Sequence, residues 1–155
     1  MAGSLLVTLA ALGSGLVAGV FFAFSTFVMK ALGRLPPAEG ISAMQSINVV
    51  VINPWFMVPF LGTAAAGVAL AAWALLRWGE PGAAFMLAGG VLYVAGTFGV
   101  TIALNVPWND ALAAVQPASA EGARVWAAYL ERWTLWNHLR TACALAAAAC
   151  LLRAL

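Results

Sequence analysis

Apolar positions fall in four long runs along this chain: residues 4–29, 54–76, 82–104 and 133–152. Each is near the roughly 20 apolar residues that a helix needs to cross a bilayer. The first carries no charge before Lys30 and is too long for the apolar core of a signal peptide. Between the second and third runs stands only "RWGEPG", a polar turn that forces an antiparallel hairpin. Four spans put both termini on one side and gather the two long connections, 30–53 and 105–132, on the other.

The first connection opens with the breaker cluster "GRLPPAEG" and continues as "ISAMQSINVVVIN". Ile41, Met44, Asn48 and Val51 share one helical face there, with Ile47 beside them, which predicts a short amphipathic helix at the membrane surface. Asn53 fits an N-cap and Pro54 the first helical position of the second span. In the second connection "NVPWND" reads as the end of the third span, with Asn105 closing it and Asn109 serving a turn. A helix restarts after Pro117, with Ser119 as N-cap and Glu121 well placed near the positive helix end. From Ser119 to Leu152 it would exceed roughly 50 Å, so its first turns project from the membrane or cover the bundle's end. The expected fold is all-α, one domain over residues 1–155. It is a four-helix transmembrane bundle with a short amphipathic interfacial helix between spans 1 and 2. Gly15 and Gly19 form a GxxxG step continued by Ala23, and Gly89, Gly90, Gly96 and Gly99 lie in the third run. Such residues let helices approach closely in lipid.

Composition agrees with the pattern. Hydrophobic residues make up 65% of the 155 positions and charged ones 8%, against roughly 25% charged in soluble domains. Mean hydropathy is +0.98. A net charge of +2 without a basic run argues against nucleic acid as a partner. Cys143 and Cys150 lie two turns apart on one predicted helix, too far to bond to each other. Lys30, Arg34, Arg124 and Arg132 lie in the long connections, against Arg77 and Arg153 on the terminal side. The positive-inside rule therefore places the long connections in the cytoplasm. The expected setting is a bacterial cytoplasmic membrane, with the lipid bilayer as the immediate partner. Self-association as a homo-oligomer stays open.

The polar side chains near the spans collect at the long-connection end: Asn48, Asn53, Asn105, Asn109, Asn137, His138 and Arg140. A polar group in hydrocarbon needs a partner, so these predict one shared vestibule. Within "ERWTLWNHLR", Trp133, Trp136, Asn137 and Arg140 recur at spacings of three, four and seven along one face. Arg140 lies two turns inside the fourth run, where an arginine costs roughly 2.5–3.5 kcal/mol even on insertion scales. It reads either as a snorkelling anchor or as a site cation facing the bundle interior. His138, one position off that face, is either a hydrogen-bonded structural residue or a base whose unperturbed pKa near 6.5 suits proton abstraction. One histidine without thiolates or a carboxylate cluster makes no metal site of the zinc type. A five-coordinate haem needs one axial histidine, so haem stays an alternative, although no CxxCH is present to attach it. Otherwise no cofactor is expected.

"GVFFAFSTFVMKAL", "GISAMQSINVVVINPWF", "NVPWND" and "WTLWNHLRT", in this order and spacing, resemble the anthrone oxygenase-like family of small membrane proteins. The resemblance implies a four-helix transmembrane bundle. It also implies an oxygenase: characterised fungal members convert anthrones to anthraquinones with molecular oxygen. Carried over residue by residue, it points to Asn48, Asn53, Asn105, Asn109, Trp133, Trp136, Asn137, His138 and Arg140. In that reading His138 is the base, Arg140 with Asn137 and Asn105 stabilises an anion, and Trp133 and Trp136 wall in a hydrophobic aromatic ligand. The competing expectation is a protein that binds a lipid, quinone or other hydrophobic small molecule without chemistry.

Overall fold

A computed structural model describes residues 2–155 and folds them into five helices. They are α1 (Gly3–Leu32), α2 (Pro37–Val50), α3 (Pro54–Leu76), α4 (Ala83–Ala113) and α5 (Ala120–Arg153). All but α2 are long and apolar enough to cross a membrane. The four long helices close a ring in the order α1, α3, α4, α5, each packed on its two neighbours. Val7 of α1, Leu70 of α3 and Leu151 of α5 meet in one buried layer, so both chain ends lie at the same end of the bundle. Val17, Phe21, Phe60, Tyr93 and Ala147 form a middle layer. Met29, Ile41, Met44, Leu112, Trp126, Tyr129 and Trp133 form the third, at the long-connection end.

The caps read from the sequence are present. Asn53 accepts from Phe56 N at 3.2 Å and donates to Val50 O at 2.8 Å, and Ser119 Oγ accepts from Gly122 N at 2.9 Å. α2 does more than lie at a surface. It buries Ile41 and Met44 against α5, and Gln45 Nε2 donates to Leu112 O (2.8 Å) and Val115 O (3.1 Å) past the end of α4. α2 therefore lids the third layer.

Two expectations need correction. Asn105 does not close the third span: α4 runs on through Pro107 to Ala113. Helix interiors reject proline because its ring meets the carbonyl four residues back. Here residues 101–105 are wound as a π-helix, which widens the turn just before the proline. A second π-helical stretch covers Leu92–Gly99. In a regular α-helix, residues four apart drift by about 40° per step. The wider winding counters that drift and keeps Tyr93, Thr97, Thr101 and Asn105 along the inner side of α4. The first, second and last of these are fully buried.

The second correction concerns the glycines. Gly15 and Gly19 point outward, with nothing within 4 Å of an added Cβ, because Ser14, Val17 and Ala18 occupy the inward face of α1. The close approach expected in the third run is present where α3 meets α4: a Cβ on Gly90 would lie 2.5 Å from the carbonyl oxygen of Gly67. Gly90→Ala is expected to destabilise the bundle by about 1–3 kcal/mol, since two backbones must separate. Gly19→Ala should be neutral or slightly stabilising, as alanine is the better helix former. Thermal unfolding of both variants in one detergent checks the contrast.

Candidate functional site

A cavity of about 200 Å³ lies under α2 at the long-connection end, bounded by all five helices. One water needs roughly 10–15 Å³, and drug-sized pockets begin near about 300 Å³. The cavity is thus the size of a small ring system. α3 and α4 pack together over Ala83–Gly99 but draw apart over Thr101–Ala113. The rim there carries Ile52 and Ile102, 71% and 51% exposed, both lining the cavity. Its open side is therefore apolar.

The walls are mainly aromatic. Phe56 stacks on Phe60 with centroids 5.5 Å apart, Phe21 meets both at 6.2 and 6.3 Å, and Phe24 tilts against Trp133 at 5.7 Å. On α5, Trp126, Tyr129 and Trp133 form a continuous stack with 5.6 Å between successive centroids. The Arg140 guanidinium carries this on: its carbon sits 4.8 Å from the Trp133 ring centre and 3.8 Å from that of Phe21. Arginine suits such a place because its planar cation stacks on π faces and is weakly hydrated.

The guanidinium is fixed from two sides. Arg140 Nε donates to Asn137 Oδ1 at 3.0 Å, and Nη1 donates to Thr101 Oγ1 at 3.2 Å. Asn137 Nδ2 in turn donates to Phe21 O (2.7 Å) and Ser25 Oγ (2.6 Å), tying α5 to the turn of α1 that leads into its π-helical stretch, Phe24–Val28. Thr101 is held by its own bond to Thr97 O at 2.8 Å. Arg140 lines the cavity at 5% exposure, and its Nη2 has no partner among the described residues. No carboxylate neutralises it either, since the ion pair found among those residues is Arg77–Glu80, on the α3–α4 turn at the opposite end. Arg140 is not a snorkelled anchor; its charge is held inside the bundle. A cation so placed keeps a desolvation penalty of several kcal/mol until an anion meets it.

The asparagines divide by place. Asn48 and Asn109 line the cavity. Asn109 Oδ1 accepts from the Tyr129 hydroxyl at 2.8 Å. Asn105 is fully buried and donates to Trp133 O at 3.1 Å, leaving its Oδ1 without a partner. Trp133 Nε1 is likewise buried and unpartnered, and its ring lines the cavity.

The structure thus brings Asn48, Asn105, Asn109, Trp133, Asn137 and Arg140 into or against one cavity. It leaves three of the residues read from the sequence outside. Asn53 is a helix cap, Trp136 is half-buried beside the lining, and His138 is exposed on the outer face of α5. A base or a haem ligand at His138 would not reach the cavity. Among the described residues, no three His, Cys, Asp or Glu side chains converge as metal ligands. Sequence reasoning overlooked Tyr129, Thr101 and the Phe21, Phe56, Phe60 wall. Tyr129 had a signal, because it stands four residues before Trp133 on the same helical face. Phe21 and Phe56 lie within the stretches that carry the family resemblance, whereas Thr101 and Phe60 had no signal, being ordinary residues of apolar spans.

A family model described as anthrone oxygenase matches residues 54–150, more than half of the chain. The matched stretch holds α3, α4 and nearly all of α5, and with them Arg140, Asn137 and Asn105. α1, α2 and Asn48 lie outside it. No curated protein and no solved structure matches the chain.

Proposed function

The chain belongs to the anthrone oxygenase family, and from that premise we propose that it is a membrane-embedded oxygenase of an aromatic or polyketide-like carbon acid. The observation that carries the reading is Arg140: a buried guanidinium with no counter-ion, stacked between Phe21 and Trp133 at the wall of a ring-sized cavity. Its free edge is a donor suited to the oxygen of a ring-delocalised carbanion. Fixed donors in a water-poor site supply much of the stabilisation that such charge needs.

The chemistry balances without a resident cofactor. A ring CH₂ flanked by a conjugated carbonyl loses one proton, leaving an anion whose charge rests largely on oxygen. The carbanion carbon reduces dioxygen and bonds to it, giving a peroxide anion that regains a proton. The hydroperoxide then loses water, so that CH₂ and O₂ become C=O and H₂O. Arg140, itself held by Asn137, keeps the anion in place, and the phenylalanine wall holds the ring. The apolar rim at Ile52 and Ile102 admits a hydrophobic substrate from the bilayer. Four basic residues in the long connections support an orientation with this end toward the cytoplasm of a bacterial membrane.

The test uses purified protein in lipid nanodiscs with anthrone as probe. Oxygen uptake and quinone formation should rise together, one to one, above the rate in protein-free discs. No acceleration over those discs would remove the enzymatic reading, and probe capture without oxygen uptake would assign a binding protein.

A further inference from the structure

The cavity offers no group that can take a proton from a ligand. Its lining is apolar apart from Asn48, Thr101, Asn109, Trp133 and Arg140, and none of these side chains is a base near neutral pH. The ionisable side chains of the surrounding helices lie elsewhere. Lys30 on α1, Glu39 on α2, Asp110 on α4, and Glu121, Arg124, Glu131, Arg132 and His138 on α5 are exposed. α3 has none. Cys143 packs at Gly96 and Tyr93 donates to Phe60 O, both outside the lining. Tyr129 is the nearest, and its hydroxyl proton is engaged with Asn109.

We infer that the site takes its ligand as a preformed anion. Ionisation happens in water or at the membrane surface, and Arg140 selects the ionised form. This rests on the reading of the cavity as the ligand site. The unpaired guanidinium gains its missing counter-charge only from an ionised ligand, so among rings of one shape the more acidic binds better at a given pH.

The proton balance makes the inference measurable. A protein base would keep the ligand's proton in the complex, and binding would not depend on pH below the ligand's pKa. Selection of a preformed anion leaves one proton in solution for each ligand bound. With the anion preferred about 30-fold over the neutral ring, the apparent Kd falls with rising pH over about 1.5 pH units below the ligand's own pKa and levels off above it.

The experiment follows binding of ring-substituted 2-naphthols of graded acidity to the protein in nanodiscs by the naphtholate absorbance, with protein-free discs as blank. The expected result is a break at each naphthol's own pKa, with up to one proton released per molecule bound in the window below it. The methyl ether of the same ring should bind about 30-fold more weakly, without pH dependence. In Arg140→Leu the naphthol and its ether should converge. If that variant does not fold, Thr101→Asp, which sets a carboxylate beside Nη1 as an internal counter-ion, should abolish the preference instead. A pH-independent Kd across that window, one break shared by all probes, or an ether as tight as its naphthol overturns the inference. The assay needs no turnover. Anion selection without oxygen uptake would remove the oxygenase reading and keep this one; oxygen uptake with a shared break would do the reverse.

Discussion

Arg140→Lys is expected to lower turnover about 100-fold or more, the scale seen when one fixed oxyanion donor is removed, while the bundle still folds. Lysine keeps the charge and can fill much of the same channel. Its single nitrogen cannot stand at the separate positions of Nε, Nη1 and the free edge, and it has no plane to lie between Phe21 and Trp133. A charge acting only as an anchor would tolerate the change. Oxygen uptake and naphthol affinity should therefore fall together, with the unfolding temperature shifted by no more than a few degrees. Full activity in Arg140→Lys would assign the residue to packing.

Asn137→Ala should act on stability and site together. Asn137 makes two bonds to α1 and holds Arg140 Nε. Neutral interhelical hydrogen bonds in membranes average only about 0.6 kcal/mol each. The bond to the buried cation is worth roughly 1.5–3 kcal/mol, so it dominates. The expected loss is about 2–4 kcal/mol, with naphthol affinity reduced because the guanidinium is no longer held on its Nε side. Ser25→Ala breaks one of these α1 bonds and the Ser25–Thr141 hydroxyl bond without touching Arg140, and should cost about 1 kcal/mol with affinity kept. Equal effects from the two substitutions would mean that the Asn137–Arg140 bond has no special weight. Thermal unfolding and naphthol titration on both variants decide the point.

The four helices, both caps and the antiparallel hairpin were legible because each rests on a local signal: length of an apolar run, an Asn-Pro pair, a Pro-Gly turn. On α5, regular winding places Asn137 about 40° and Arg140 about 20° from Trp133, on one narrow strip. Trp136 falls about 60° away, on the side opposite Asn137, which is why it flanks the cavity without lining it. His138 lies further round still and faces outward. Spacing grouped Trp136 with Trp133, Asn137 and Arg140 and set His138 one position off, since it cannot say how narrow the buried strip is. α4 was harder. Nothing local in "LYVAGTFGVTIALNVPWND" announces π-helical winding, so Asn105 read as a helix end when it lies in mid-helix. The same winding brings Thr101 to Arg140. Gly15 and Gly19 misled for a related reason: small residues permit close approach but do not say which side of a helix uses it.

The most direct measurement is a structure of the protein with a substituted 2-naphtholate bound, a planar anion lacking the ring CH₂ on which the proposed oxidation acts. Its oxygen is expected about 2.7–3.1 Å from the Arg140 guanidinium, with the ring against Phe21, Phe56 and Trp133 beneath α2. A naphtholate bound elsewhere, or a lipid acyl chain filling this cavity while Arg140 stays unengaged, would contradict it.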